Sequence, residues 1–182
     1  AGERGGFKVT LVDAFRDEDG TVISSSRIRD FLAQGDVVSA AGLLGCRYLV
    51  EAKVEQGKQL GRTLGYPTAN MRLASENRLA HGIYAVRLRR ADGTLHDGVA
   101  SFGRRPTVDD DGAPLLETYI FNFSGDLYGE TCAVSFFGYL RPELRFDGLE
   151  PLIVQMKQDE AEARALLNGV KPFSELDLRI SF

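Results

Sequence analysis

The sequence predicts a mainly β fold, an antiparallel barrel of about six short strands closed by a C-terminal helix. Three observations predict it. Short β-rich runs separated by turn signals recur from Tyr48 to Leu140. Ala91-Asp-Gly-Thr94 carries the Asp-Gly pair of a hairpin turn. Beyond Asp147 the period changes: Leu149, Leu152, Ile153, Met156, Ala163 and Leu167 recur at steps suited to one helix face.

Taken in order, Phe7–Val12 alternates weakly and is expected as a short strand, and Asp17–Gly20 reads as a turn. Ile23–Arg29 is a serine-rich helix entry, with Ser25 or Ser26 able to cap the first amides. That helix should run to about Ala33, followed by a shorter one from Gly35-Asp36 to Leu44, broken by Gly45. Strands are expected at Tyr48–Val54, Asn70–Leu73, Ile83–Arg89 and His96–Phe102, with the two longest at Leu115–Phe123 and Thr131–Leu140. Asp147 is the expected cap of the last helix, with Glu150 three residues on, and Asn168-Gly169 its end. The tail from Lys171 to Phe182 is too apolar to be wholly solvated, but no local pattern places it.

With 182 residues, 43% of them apolar, the chain can bury a proper core. A net charge of −4 argues against general attraction to nucleic acid or to an anionic membrane. No apolar run approaches the ~20 residues of a membrane span. Two cysteines, Cys46 and Cys132, make neither a disulfide framework nor a zinc spacing, which fits a reducing cytoplasm.

Residues 57–70 are the most unusual stretch. Gly57, Gly61 and Gly65 fall at a spacing of four, with Lys58 and Arg62 between them and Pro67 after. Such a run leaves backbone amides open to surround a phosphate. It is not a P-loop: Gly61 is followed by Arg62-Thr63, and Pro67 opposes the helix that motif requires. Thr68 and Asn70 are two apart, so a strand puts both on one face. A hydroxyl beside an amide carbonyl suits Mg²⁺ that keeps waters and phosphates, and equally suits two polar surface residues.

Gly61-Arg-Thr-Leu-Gly-Tyr-Pro-Thr-Ala-Asn70 closely resembles the riboflavin kinase signature. Glu117-Thr-Tyr-Ile-Phe-Asn-Phe123, Asp126-Leu-Tyr-Gly129, and Gly138-Tyr-Leu-Arg-Pro-Glu143 with Phe146 follow in that family's order. The resemblance runs from about Cys46 to about Ala163, and it implies a six-stranded antiparallel Greek-key barrel of the riboflavin kinase-like split type. Ile23–Arg29 is similar to the motif ending the adenylyltransferase module of bifunctional bacterial FAD synthetases, with Ser26 replacing threonine. Nothing matches that module's nucleotide-binding motif. Residues 1–45 are therefore expected to be a helical remnant of that module, 46–182 the kinase module, and the missing adenylyltransferase domain a partner.

By resemblance, Glu117 is the base at the ribityl 5′-hydroxyl of riboflavin, and Thr68 and Asn70 hold Mg²⁺ against ATP. Gly57, Gly61, Arg62, Gly65 and Thr68 surround the phosphates, while Arg141 and Phe146 line the flavin site. Pattern alone leaves other readings open. Glu117 shares a strand face with aromatic residues, where an unpartnered charge is costly, yet a strand-end glutamate can reach water. Arg141 equally suits a strand-end salt bridge. The implied activity is conversion of riboflavin and ATP to FMN and ADP in the cytoplasm. The alternative is a non-catalytic flavin-binding barrel, which would need neither metal ligands nor a base.

Overall fold

The computed structural model describes residues 10, 13–57, 65–104 and 113–182. Six strands, β1 (Leu49–Glu55), β2 (Thr68–Arg72), β3 (Gly82–Arg89), β4 (Leu95–Gly103), β5 (Leu115–Ile120) and β6 (Thr131–Arg141), form a closed barrel. Their order is β1-β2-β5-β4-β3-β6, every neighbour antiparallel. The expected six-stranded Greek-key barrel is what forms. The β1–β2 ladder is short, pairing Val54 with Met71 and Glu55 with Asn70. The strand expected at 7–12 falls almost wholly outside the described residues, as do Gly61 and Arg62.

Two helices precede the barrel, α1 (Ser25–Ala33) and α2 (Val37–Leu44). The α1 cap is Ser24 rather than Ser25 or Ser26, because Ser24 keeps extended backbone while its hydroxyl accepts from Arg27 N. The Asp36 carboxylate caps α2 by accepting from Ser39 N, and α2 stops at Gly45. Leu32, Val37 and Ala40 join the barrel's core cluster, alongside Met71, Leu88, Leu116 and Phe136.

The long helix α3 (Leu149–Gly169) packs on the outer face of β3, β4 and β6. Ala163 and Leu167 meet Ala85, Phe121 and Phe137 there in a second apolar cluster. The helix comes close because position 138 is glycine: a Cβ there would lie 2.5 Å from Leu166 Cδ1. The cap is Gly148, not Asp147, and no side chain caps this end.

The tail does have a place. It forms a final helix, α4 (Glu175–Ser181), capped by Ser174, whose hydroxyl accepts from Asp177 N. Asp177 reaches back to the entry of β1, accepting from Arg47 N at 2.8 Å and from its Nη1 at 3.1 Å. The Arg47 guanidinium lies 3.8 Å from the Phe173 ring centroid, so the tail covers it as well as pairing with it. Among the described residues, no helix is long and apolar enough to cross a membrane.

Candidate active site

Strand parity places the candidate residues. Leu116 and Ile120 belong to the barrel core, so Glu117 and Tyr119 point outwards from β5. Met71 likewise points in from β2, which puts Thr68 and Asn70 on the outer face. Asn70 is the register partner of Glu117, and Thr68 of Tyr119. The row continues across the sheet through Ser101, opposite Glu117, then Ile83 and finally Arg141. Asn70, Glu117 and Arg141 thus stand on one transverse line of the barrel surface.

Asn70 is buried, and its Nδ2 donates to Thr68 O at 3.1 Å, which fixes the end of the amide facing that carbonyl. Gly57 closes over the same amide. A Cβ at position 57 would lie 2.5 Å from Asn70 Nδ2 and 2.8 Å from Oδ1. The first glycine of the loop is therefore required by close approach to Asn70.

Thr68 and Asn70 offer neutral oxygens, a donor set that fits a hard divalent cation completing its shell with waters and phosphates. Among the described residues, no cluster of three or more His, Cys, Asp or Glu could hold a metal. A cation here would thus depend on the phosphates that accompany it.

Beside Thr68 and Asn70 opens a cleft of about 320 Å³. Pro67, Thr68 and Asn70 line it, together with Phe123, Leu127 and Tyr128. The size suits a small ligand. Of the motif Asp126–Gly129, the structure puts Asp126, Leu127 and Tyr128 in the lining of this cleft.

Tyr66 leans edge-on against Tyr119, with ring centroids 4.7 Å apart. Burial, and then the Glu160 carboxylate, push both phenols above their ordinary range; Arg164 opposes this at Tyr119. Both remain neutral hydroxyls at physiological pH.

Arg141 is engaged by α3. Its Nε and Nη2 donate to Asp159 at 2.7 and 2.5 Å, and Nη1 donates to Pro142 O at 2.9 Å. Gln155 Nε2 also donates to Asp159, at 2.9 Å. The salt-bridge reading of Arg141 is therefore realised, although its partner is a helix residue that strand patterning could not identify. Phe146 is half-buried in the segment after β6. Neither Arg141 nor Phe146 lines the cleft at Thr68 and Asn70.

Comparison with known proteins places the chain in a family. The family model Flavokinase, riboflavin kinase, matches residues 44–167. Over 162 residues the chain is 40% identical to the bifunctional riboflavin kinase/FMN adenylyltransferase of Listeria monocytogenes, covering 88% of this chain and 51% of that protein. The Escherichia coli K12 protein of the same description is 36% identical over 172 residues, with 94% of this chain and 54% of that protein covered. The fold also matches the crystal structure of a macrolide-efflux protein from Streptococcus pneumoniae, with TM-score 0.75 and 35% identity. That match covers 87% of this chain and 52% of the other. The chain spans about half the length of the curated relatives it matches. With the family match covering the whole barrel and α3 to residue 167, the chain belongs to the riboflavin kinase family.

Proposed function

We propose that this chain is a riboflavin kinase, transferring the γ-phosphoryl group of ATP to the ribityl 5′-hydroxyl of riboflavin and releasing FMN and ADP. The observation that carries the reading is the register pair Asn70–Glu117, which sets a metal-compatible amide directly beside a carboxylate. A non-catalytic flavin binder needs neither.

Glu117 accepts the proton of the 5′-hydroxyl as that oxygen bonds to the γ-phosphorus and the bond from phosphorus to the ADP oxygen breaks. Thr68 Oγ1 and Asn70 Oδ1 would hold Mg²⁺, which when bound supplies charge to the phosphates. The cleft beside them takes the nucleotide, with its planar base between Pro67 and the Phe123–Leu127 wall. Gly57, Gly61, Arg62 and Gly65 are assigned to the phosphates by the family resemblance of their motif. Arg141, fixed by Asp159, holds the segment that carries Phe146 to the flavin.

The division proposed at 45/46 marks sequence resemblance rather than packing, since Leu32, Val37 and Ala40 share the barrel core. We assign residues 1–45 to the end of an adenylyltransferase module, whose domain would be the partner, and the cytoplasm as the compartment.

The test is chromatographic. Incubation with riboflavin, ATP and Mg²⁺ should yield FMN without FAD, followed by flavin fluorescence. Bound riboflavin with no FMN would favour the binding barrel instead. FAD formed from FMN and ATP would assign adenylyl transfer to this chain.

A further inference from the structure

Arg90 and Glu130 belong to none of the motifs, yet both act on residues that line the cleft with Thr68 and Asn70. Arg90 follows β3, and Glu130 immediately precedes β6. Arg90 Nε lies 3.3 Å from each Glu130 carboxylate oxygen, and Nη2 lies 2.9 Å from Oε2. Glu130 Oε1 also accepts from Ala91 N at 2.9 Å. The planar fork of arginine matches a carboxylate in a way that lysine cannot. The Arg90 guanidinium and then the Ala91 amide hold Glu130 below the usual carboxylate range, so it is charged at neutral pH.

The backbone carries this anchor into the cleft. Glu130 N donates to Leu127 O at 3.0 Å, and Val54 N donates to Glu130 O at 2.8 Å. Leu127 and Val54 both line the cavity. Arg90 acts a second time through Phe123, its Cζ lying 5.8 Å from that ring's centroid. The His96 ring meets Phe123 edge-on at 5.0 Å. Leu127, Val54 and Phe123 are thus each tied to one ion pair at the end of the β3–β4 hairpin.

We propose that Arg90 is a positioning residue for the nucleotide: through Glu130 and Phe123 it fixes the 123–130 wall against which the base of ATP lies. The proposal rests on the kinase reading above and adds a residue that does not touch substrate.

Arg90→Gln should raise the KM for ATP about fivefold, leaving kcat and the KM for riboflavin near those of the unaltered protein. Glu130→Gln, which keeps the side chain's shape, should do the same, and the exchange Arg90→Glu with Glu130→Arg should restore much of the affinity. A lowered melting temperature with both KM values unchanged would overturn the proposal, leaving the pair merely structural. So would a parallel rise in both KM values. Calorimetric titration with Mg·ADP needs no turnover and separates this proposal from the kinase reading. If the unaltered chain binds Mg·ADP without making FMN, the kinase reading fails, and weaker binding by Arg90→Gln still decides for Arg90. If the unaltered chain binds no nucleotide, both fail.

Discussion

Asp177 and Arg47 are joined at two points, backbone amide to Oδ1 and guanidinium to Oδ2, with Asp177 fully buried and Arg47 5% exposed. Burial alone would raise the Asp177 pKa. The amides of Phe173 and Arg47, with the Arg47 guanidinium, outweigh it and hold the group below its ordinary 3.8. A depressed carboxylate contributes stability that is present above 3.8 and lost as pH falls through the lower folded value. The protein should therefore lose this contribution only below about pH 4. Asp177→Ala leaves a buried arginine unpaired and should cost about 3–5 kcal/mol, read as a shift of the urea midpoint.

Thr118 predicts the opposite sign. It points into the barrel between Ala69 and Ala100, and its Oγ1 is buried with no hydrogen-bond partner among the described residues. Valine has the same shape, lacks the hydroxyl and suits a strand. Thr118→Val should stabilise the protein by about 1 kcal/mol in urea unfolding.

Glu117→Gln keeps the size and loses the base. Its kcat should fall by about 10²–10⁴-fold with riboflavin binding preserved, measured by FMN formation and by quenching of flavin fluorescence. Nearly full turnover would remove Glu117 from the proposed role.

Asn70→Ala should raise the Mg²⁺ concentration needed for half-maximal FMN formation, and Gly57→Ala should do so indirectly. The added methyl group meets the Asn70 amide at 2.5 Å, so the amide must move. An overpacking cost of about 1–3 kcal/mol should accompany it in the melting curve. An unchanged Mg²⁺ requirement in both variants would return Asn70 to a structural role.

Much of this was legible locally. Alternation and turn residues located the barrel strands, and parity put Thr68 and Asn70 on one face. The β5 end was missed because Leu115–Phe123 reads as continuous, whereas Asn122 adopts φ +54° and turns the chain after Ile120. The α3 pattern named Leu149 among its apolar face, yet Leu149 is 56% exposed and Asp159 is buried. A periodicity count weighs apolarity and cannot see that Arg141, eighteen positions earlier, draws a carboxylate inwards. The tail carried its own signal, Ser174 followed by Asp177, a capping pair whose acidic member proved more valuable to Arg47. Long-range ion pairs leave no period.

The transverse row of Asn70, Glu117 and Arg141 makes the site a matter of parity. Sliding β5 by one residue against β2 would turn Glu117 into the barrel and present Thr118 outside, abolishing the site without altering any side chain. Sliding it by two would keep Glu117 outside but move it to a diagonal about 7–8 Å from Asn70. The packing of Leu116, Thr118 and Ile120 inside the barrel therefore acts as an index for the chemistry outside it. Interior substitutions that loosen that index can silence the site while the barrel still closes.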